Sequence, residues 1–271
     1  MNAREALAAA AARFGVSATP RLDAELLLAH AIGITRAQLL LGLDHPVPPS
    51  FAGLVERRAR HEPIAYITGT RGFWTIDLAV GPGVLIPRAD SETLIEAAVT
   101  HFAGTSGPAR VLDLGTGPGT LLLAALDQWP QATGLGIDAS AEALAYARLN
   151  AATLEMTARA SLQQGDWAGD VDEKFDLVLA NPPYIADGEL LPREVSGFEP
   201  AAALFGGTDG LDEYRRLSPQ LLRLLAPGGV ACVEIGHTQA AAVTALLHVH
   251  GLTTRVHRDL GGRDRCVTAT A

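Results

Sequence analysis

Apolar positions repeat with a helical period in the first part of the chain and with strand-like runs in the rest. Ala3–Phe14 is an Ala-rich run closed by Gly15, and Leu22–Ile32 follows Pro20 with Leu22, Leu26, Ala29 and Ile32 on one face, ending at Gly33. Thr35 caps a predicted third helix through Leu41, and Ser50 caps a fourth that runs to about His61, before Pro63. These short helices predict an N-terminal helical domain over residues 1–63, small for independent stability. Across residues 64–87, Phe73, Trp74, Ile76, Leu78 and Val80 lie among Gly69, Gly72, Gly81 and Gly83, the pattern of a β-hairpin linker.

From Arg88 onwards strand and helix patterns alternate. Strands are predicted at Arg110–Leu114, Thr133–Ile137, Ala160–Gln163, Phe175–Ala180, Val230–Ile235, Leu252–His257 and Cys266–Ala269. Helices are predicted at Thr120–Gln128, Ala141–Ala151, Leu211–Leu225 and Thr238–His250. This alternation is that of an α/β chain, a doubly wound seven-stranded Rossmann-like sheet over residues 88–271. Arg258–Arg265 is too short for a helical crossover, so the last two strands are expected to pair antiparallel.

Composition narrows the setting. The 271 residues are 48% hydrophobic and 19% charged, enough for a sizeable core and unlike a disordered chain. A net charge of -9 argues against broad gripping of a nucleic-acid backbone, so no direct nucleic-acid binding is expected. Cys232 and Cys266 fit neither a metal-ligand spacing nor a disulfide framework, which suits a reducing compartment. The first residues, MNAREALAAAAARFGV, interrupt their Ala run with Glu5 and Arg13 and read as a helix rather than a signal peptide. No apolar stretch approaches the roughly 18 uncharged residues of a membrane span. A cytoplasmic monomer with no membrane attachment is the expectation.

Three strand ends carry candidate chemistry. In VLDLGTGPGT, Gly115, Gly117 and Gly119 sit between a strand and a helix, where glycine lets the backbone turn sharply and approach a ligand. The spacing is neither a dinucleotide fingerprint nor a Walker loop. Asp138 closes the next strand, where a carboxylate can accept both ribose hydroxyls of an adenosine, and Ser140 is available as the N-cap of the following helix. In GDWAGD, Gly165 to Asp170, Asp166 can accept from an adenine amino group and Trp167 can stack on or flank the base. Loops after successive strands converge on one crevice in such sheets. With nothing built for a pyrophosphate, the three point to S-adenosylmethionine rather than NAD.

The fourth strand, FDLVLA, runs into Asn181-Pro182-Pro183-Tyr184. The Asn181 amide oxygen is an acceptor, the Pro-Pro pair fixes the backbone so that the Pro182 carbonyl can point into the site, and Tyr184 offers a flat ring. Two acceptors beside a stacking ring suit a planar –NH2 group, orienting its nitrogen towards a methyl sulfonium and favouring the charge that develops on it. No metal is needed for this arrangement.

DLGTGPG, GIDAS, FDLVLANPPYI, FEP, ALFGGTDGLDEYRR, LLAPGGVACVEIG and DLGGRDR resemble the HemK/PrmC family of protein-glutamine N5-methyltransferases, as do HEPIAYITG and GVLIPR in the linker. The resemblance implies a methyltransferase sheet and methylation of the glutamine in the Gly-Gly-Gln motif of class I peptide-chain release factors. It implies that Gly115, Thr116, Gly117, Pro118, Gly119, Asp138, Asp166 and Trp167 hold the cofactor. Asn181, Pro182, Pro183 and Tyr184 then hold the glutamine amide, with Asn181 touching both ligands, and the helical domain serves substrate recognition. Where the family commonly continues Pro-x-Thr-Glu after GVLIPR, this chain has Ala89-Asp90-Ser91-Glu92, so Ser91 stands in for a Thr hydroxyl. Arg88 and Glu199 are candidate rim residues, equally readable as a salt bridge. Glu234, at a strand end, and His237, at a helix start, read as structural rather than catalytic. Asn-Pro-Pro-Tyr also occurs in adenine-N6 DNA methyltransferases and some RNA methyltransferases, which leaves a nucleic-acid amino group as the alternative target. A non-enzymatic S-adenosylmethionine-binding scaffold is the other alternative, one that a broken Gly turn or an altered tetrapeptide would favour.

Overall fold

The first part of the chain folds into α1 (Ala3–Arg13), α2 (Pro20–Ile32), α3 (Arg36–Leu41), α4 (Ser50–Ala59) and α5 (Ile64–Thr68), and α2 buries Ala24, Leu27, Leu28 and Ala29 rather than the expected face of Leu22, Leu26, Ala29 and Ile32. The computed structural model describes residues 2–271 apart from Val16, Leu43 and Asp170; Asp170 is the last residue of the stretch that begins at Gly165. Asn2 and Glu5 close a capping box on α1, Thr35 and Gln38 close another on α3, and Gly33 ends α2 in the left-handed conformation. Ser50 lies inside the first turn of α4, with Pro49 at the cap position. Helix α5 was not expected; Gly69, left-handed, ends it after one turn.

Contacts divide the chain into two units, Met1–Thr70 with Leu191–Phe198, and Arg71–Leu190 with Glu199–Ala271. The first unit packs Leu7, Phe14, Leu27, Leu28, Leu39 and Phe51 into its own core. Arg58 is buried there and ion-pairs at 2.8 Å with both Asp23 and Glu194, the latter from the returning segment. A buried guanidinium is tolerated only with such partners.

A hairpin follows, β1 (Thr70–Phe73) and β2 (Ile76–Ala79), all but Thr70 in the second unit. A turn of 3₁₀ helix, Ala89–Ser91, leads into α6 (Glu92–His101), a helix the sequence pattern did not name. Then follow β3 (Arg110–Leu114), α7 (Thr120–Gln128), β4 (Thr133–Asp138), α8 (Ala141–Thr153), β5 (Ala160–Gln164), β6 (Phe175–Ala180), α9 (Arg193–Ser196, in the first unit), α10 (Asp212–Leu224), β7 (Leu225–Glu234), α11 (Ala240–Val249), β8 (Thr253–Arg258) and β9 (Asp264–Thr270). The seven-stranded sheet has the order β5-β4-β3-β6-β7-β9-β8. The first five strands are parallel; β9 pairs antiparallel with β8, as expected, and also with β7.

Period-2 alternation fills both faces of this sheet. Val111, Leu177, Leu179, Val230 and Cys232 point to the side packed by α6 and α7. Leu112, Leu114, Val178, Ala180 and Val233 point to the side packed by α10 and α11. Helix α7 is buried at every position from Leu121 to Leu126, so its sequence is apolar all round. The strand order reverses between β3 and β6, and their carboxyl ends open the crevice where ligands bind in doubly wound sheets.

Candidate active site

The turn after β3 is forced into shape by its glycines. Gly115, Gly117 and Gly119 have φ of 72°, 57° and 88°, a region that penalises any Cβ. At Gly119 a Cβ would also stand 2.8 Å from Leu123 Cδ1. The amides of Gly115 and Thr116 both donate to the Ile137 carbonyl at 2.9 Å, which ties the turn to β4. Asn150, buried on α8, donates to the carbonyls of Pro118 and Ala79 and accepts from the Ala79 amide, joining the turn to the hairpin.

Asp138 braces the same turn. Its Oδ2 accepts from the Gly117 amide and its Oδ1 from the Ser140 amide, both at 2.8 Å, while Ser140 caps α8 through Ala143. An ionised carboxylate has about four acceptor sites, so two remain for a ligand. Asp166 is held in the same way, both its oxygens accepting from Arg216, which also pairs with Glu213, and its side chain stays exposed at the cavity. Glu213 in turn accepts from the Trp167 indole at 2.8 Å, and the Trp167 ring lies against Gly115. Sequence reasoning missed Arg216 and Glu213; their one-turn spacing on α10 was visible, but not the loop they would meet.

A cavity of about 360 Å³ gathers these groups, a volume within the range of small-molecule sites. Gly115, Thr116, Gly117, Pro118, Asp138, Asp166, Trp167, Asn181 and Pro183 line it; Gly119, Pro182 and Tyr184 are not among the lining residues. Arg88 lines it as well and ion-pairs with the buried Glu199, which also accepts from the Ile86 amide at 3.0 Å.

At the end of β6, Asn181 donates Nδ2 to Ser91 Oγ at 3.4 Å, and its Oδ1 meets no donor among the described residues. The buried Pro182 likewise keeps its carbonyl free of described donors, whereas the Tyr184 carbonyl accepts from Gln239 at 2.9 Å. Tyr184 directs its hydroxyl to Glu234 Oε1 at 3.3 Å; burial first, and then the Glu234 charge, raise its pKa. Glu234 is a buried carboxyl at the end of β7, pushed up to about 7 by desolvation.

Asp113, on β3, is a second buried carboxyl that sequence reasoning missed, although a lone acid in an apolar strand marked it. It accepts from Thr116 Oγ1 at 2.6 Å and the Leu122 amide at 3.0 Å, its Oδ1 has no partner among the described residues, and burial lifts its pKa from 3.8 to about 7. A folded value above the unfolded one means that Asp113 favours folding fully below 3.8, and that this contribution is lost as pH rises through about 7. Asp113→Asn keeps an acceptor for both donors. Urea denaturation at about pH 5 and about pH 8 should show a smaller loss of stability with rising pH in the variant than in the wild type. An identical loss in both would contradict the assignment.

The fold and the crevice define a Rossmann-like methyltransferase, and residues 106–250 match a methyltransferase domain family. Residues 5–69 match the PrmC N-terminal domain. The release factor glutamine methyltransferase of Rhodospirillum rubrum is 47% identical over 257 residues, covering 92% of this chain and 78% of that protein. That of Caulobacter vibrioides is 45% identical over 256 residues, covering 92% and 88%. The chain belongs to the release factor glutamine methyltransferase family. Among solved structures, the ribosomal protein L11 methylase of Lactobacillus delbrueckii subsp. bulgaricus shares the fold at 24% identity, with a TM-score of 0.51 over 68% of this chain and 79% of that one. No described helix is long and apolar enough to cross a membrane.

Proposed function

We propose that the protein transfers the methyl group of S-adenosylmethionine to the side-chain nitrogen of the glutamine in the Gly-Gly-Gln motif of class I peptide-chain release factors. The observation that carries this reading is the Asn181 amide at the cavity wall, its donor end held by Ser91 and its acceptor end unpartnered. The residues present fit the cofactor. The left-handed glycines leave the turn after β3 without a Cβ where a ligand approaches, Asp138 keeps two acceptor sites for ribose hydroxyls, and Trp167 offers an aromatic wall. When bound, S-adenosylmethionine supplies a methyl group on a positively charged sulfur.

The chain's own residues then act on the glutamine. Asn181 Oδ1 and the Pro182 carbonyl accept the two amide hydrogens, which fixes the nitrogen and its lone pair in direction. As positive charge grows on that nitrogen, the same two acceptors hold it more strongly than they hold the neutral amide. Tyr184 braces the far side of the loop through Glu234 and Gln239. The helical unit, matched by the PrmC N-terminal domain, receives the release factor; on α3 it exposes Leu41 at 90%. The enzyme acts as a cytoplasmic monomer in this reading.

A nucleic-acid exocyclic amine would suit the same acceptors, but a net charge of -9 disfavours a polyanion. Labelled methyl transfer, measured side by side on a folded release factor, duplex DNA and transfer RNA, separates the two. Incorporation confined to the release factor is the expected result; incorporation into nucleic acid alone overturns the proposal.

A further inference from the structure

The two ends of an Asn amide have the same shape and opposite hydrogen-bonding character, so a site that uses the oxygen needs something to decide which end faces the substrate. We propose that Ser91, held in turn by Glu234, is the positioning residue that turns the acceptor end of Asn181 towards the substrate amide. This inference rests on the proposed role of Asn181 as the receiver of a glutamine side chain.

Ser91 is 2% exposed and is the single described partner of the Asn181 side chain. A hydroxyl has one proton to donate and two lone pairs. For Ser91 to accept from Asn181 Nδ2, its own proton has to point elsewhere. The Glu234 carboxyl lies beside that hydroxyl, is 1% exposed, and has an Oε2 with no hydrogen-bond partner among the described residues. It can accept the Ser91 proton once the hydroxyl turns towards it. A buried carboxylate oxygen without a partner is costly, and turning the Ser91 hydroxyl towards it relieves that cost.

The groups that face Glu234 come from every surrounding element. Tyr184, after β6, donates to Oε1, and Tyr214 on α10 donates its hydroxyl to the Glu234 carbonyl at 2.8 Å. Arg265 on β9 favours the ionised carboxyl and pairs with Asp90, which opposes ionisation; Cys266 sits opposite Glu234 in the β7–β9 register. Burial outweighs the favourable partners, and the carboxyl titrates near 7.

The two protonation states set opposite directions along the chain of bonds. Ionised Glu234 accepts from Ser91 and Tyr184, so Ser91 accepts from Asn181 and Oδ1 faces the cavity. Protonated Glu234 donates to Ser91, whose freed proton then favours Asn181 Oδ1. The amide turns over and presents its NH2 to the NH2 of the substrate, two donors face to face. Methyl transfer therefore needs ionised Glu234, and kcat should rise with pH through about 7.

The test is the pH dependence of methyl transfer to a folded release factor by the wild type and by Ser91→Ala, Ser91→Thr and Glu234→Gln, with cofactor affinity followed by calorimetry. Ser91→Ala should lose about tenfold in kcat with the cofactor Kd within about twofold, and Ser91→Thr should recover most of the loss. Glu234→Gln, which fills the same space, should flatten the acid limb of the profile. Unchanged kcat in Ser91→Ala, equal losses in the Ala and Thr variants, or an acid limb that survives in Glu234→Gln would each overturn the inference while leaving the proposed function standing. A wild type that transfers nothing to the release factor would remove the reading beneath it, and the inference with it.

Discussion

Asn181→Ala is expected to lower kcat by about two to three orders of magnitude, the scale measured when one preorganised group is removed from a charge-stabilising site. Its affinity for S-adenosylmethionine should stay within roughly threefold, because the turn after β3 is held without it. The Gly115 and Thr116 amides are anchored on Ile137, the Gly117 amide on Asp138, and Asn150 holds Pro118. Asn181 bonds only Ser91 among the described residues, so its loss leaves that scaffold intact. Single-turnover transfer and calorimetric titration on the same sample check both halves. Parallel losses in rate and cofactor affinity would mean that Asn181 builds the cofactor pocket rather than orienting the amide.

The reverse pattern is expected for Asp138→Ala. The cofactor Kd should rise by roughly one to two orders of magnitude, since a charged acceptor contributes about 1.5–3 kcal/mol per hydrogen bond. Two effects add in the same direction. The variant loses the free acceptor sites offered to the ribose, and it releases the Gly117 and Ser140 amides that the carboxylate now holds at 2.8 Å. At saturating cofactor the rate should largely recover, because among the described residues Asp138 bonds Gly117 and Ser140 and none of the tetrapeptide. A Kd equal to that of the wild type would remove the ribose role.

The sheet was legible because strands buried on both faces read as continuous apolar runs bounded by glycine and acid, as in RVLDLG and FDLVLAN. The start of β7 was not. Leu225 already pairs with Phe175, ahead of a register shift before Leu177, and no local pattern shows that Ala226, Pro227 and two glycines extend a strand. Helix α6 escaped because its start follows Pro87 and a 3₁₀ turn rather than a cap hydrogen bond. In the site, the glycine turn and Asp138 were readable because their chemistry is local to one turn. Ser91 and Asn181, Tyr184 and Glu234, and Asp166 and Arg216 are pairs brought together only by the sheet order, each separated by dozens of residues. A reading of the GDWAGD loop on its own offers the Asp166 carboxylate to a ligand; the fold adds Arg216, which donates to both its oxygens.

The central claim is that the acceptors at the end of β6 are built for a glutamine side-chain amide. Its most direct test is fragmentation mass spectrometry of a class I release factor after incubation with this protein and S-adenosylmethionine, beside the same factor with Gln→Ala in its Gly-Gly-Gln motif. The expected result is a gain of one methyl mass, roughly 14 Da, located on the motif glutamine and absent from the Ala variant. A methyl group found on another residue, or an equal gain in both factors, would contradict it.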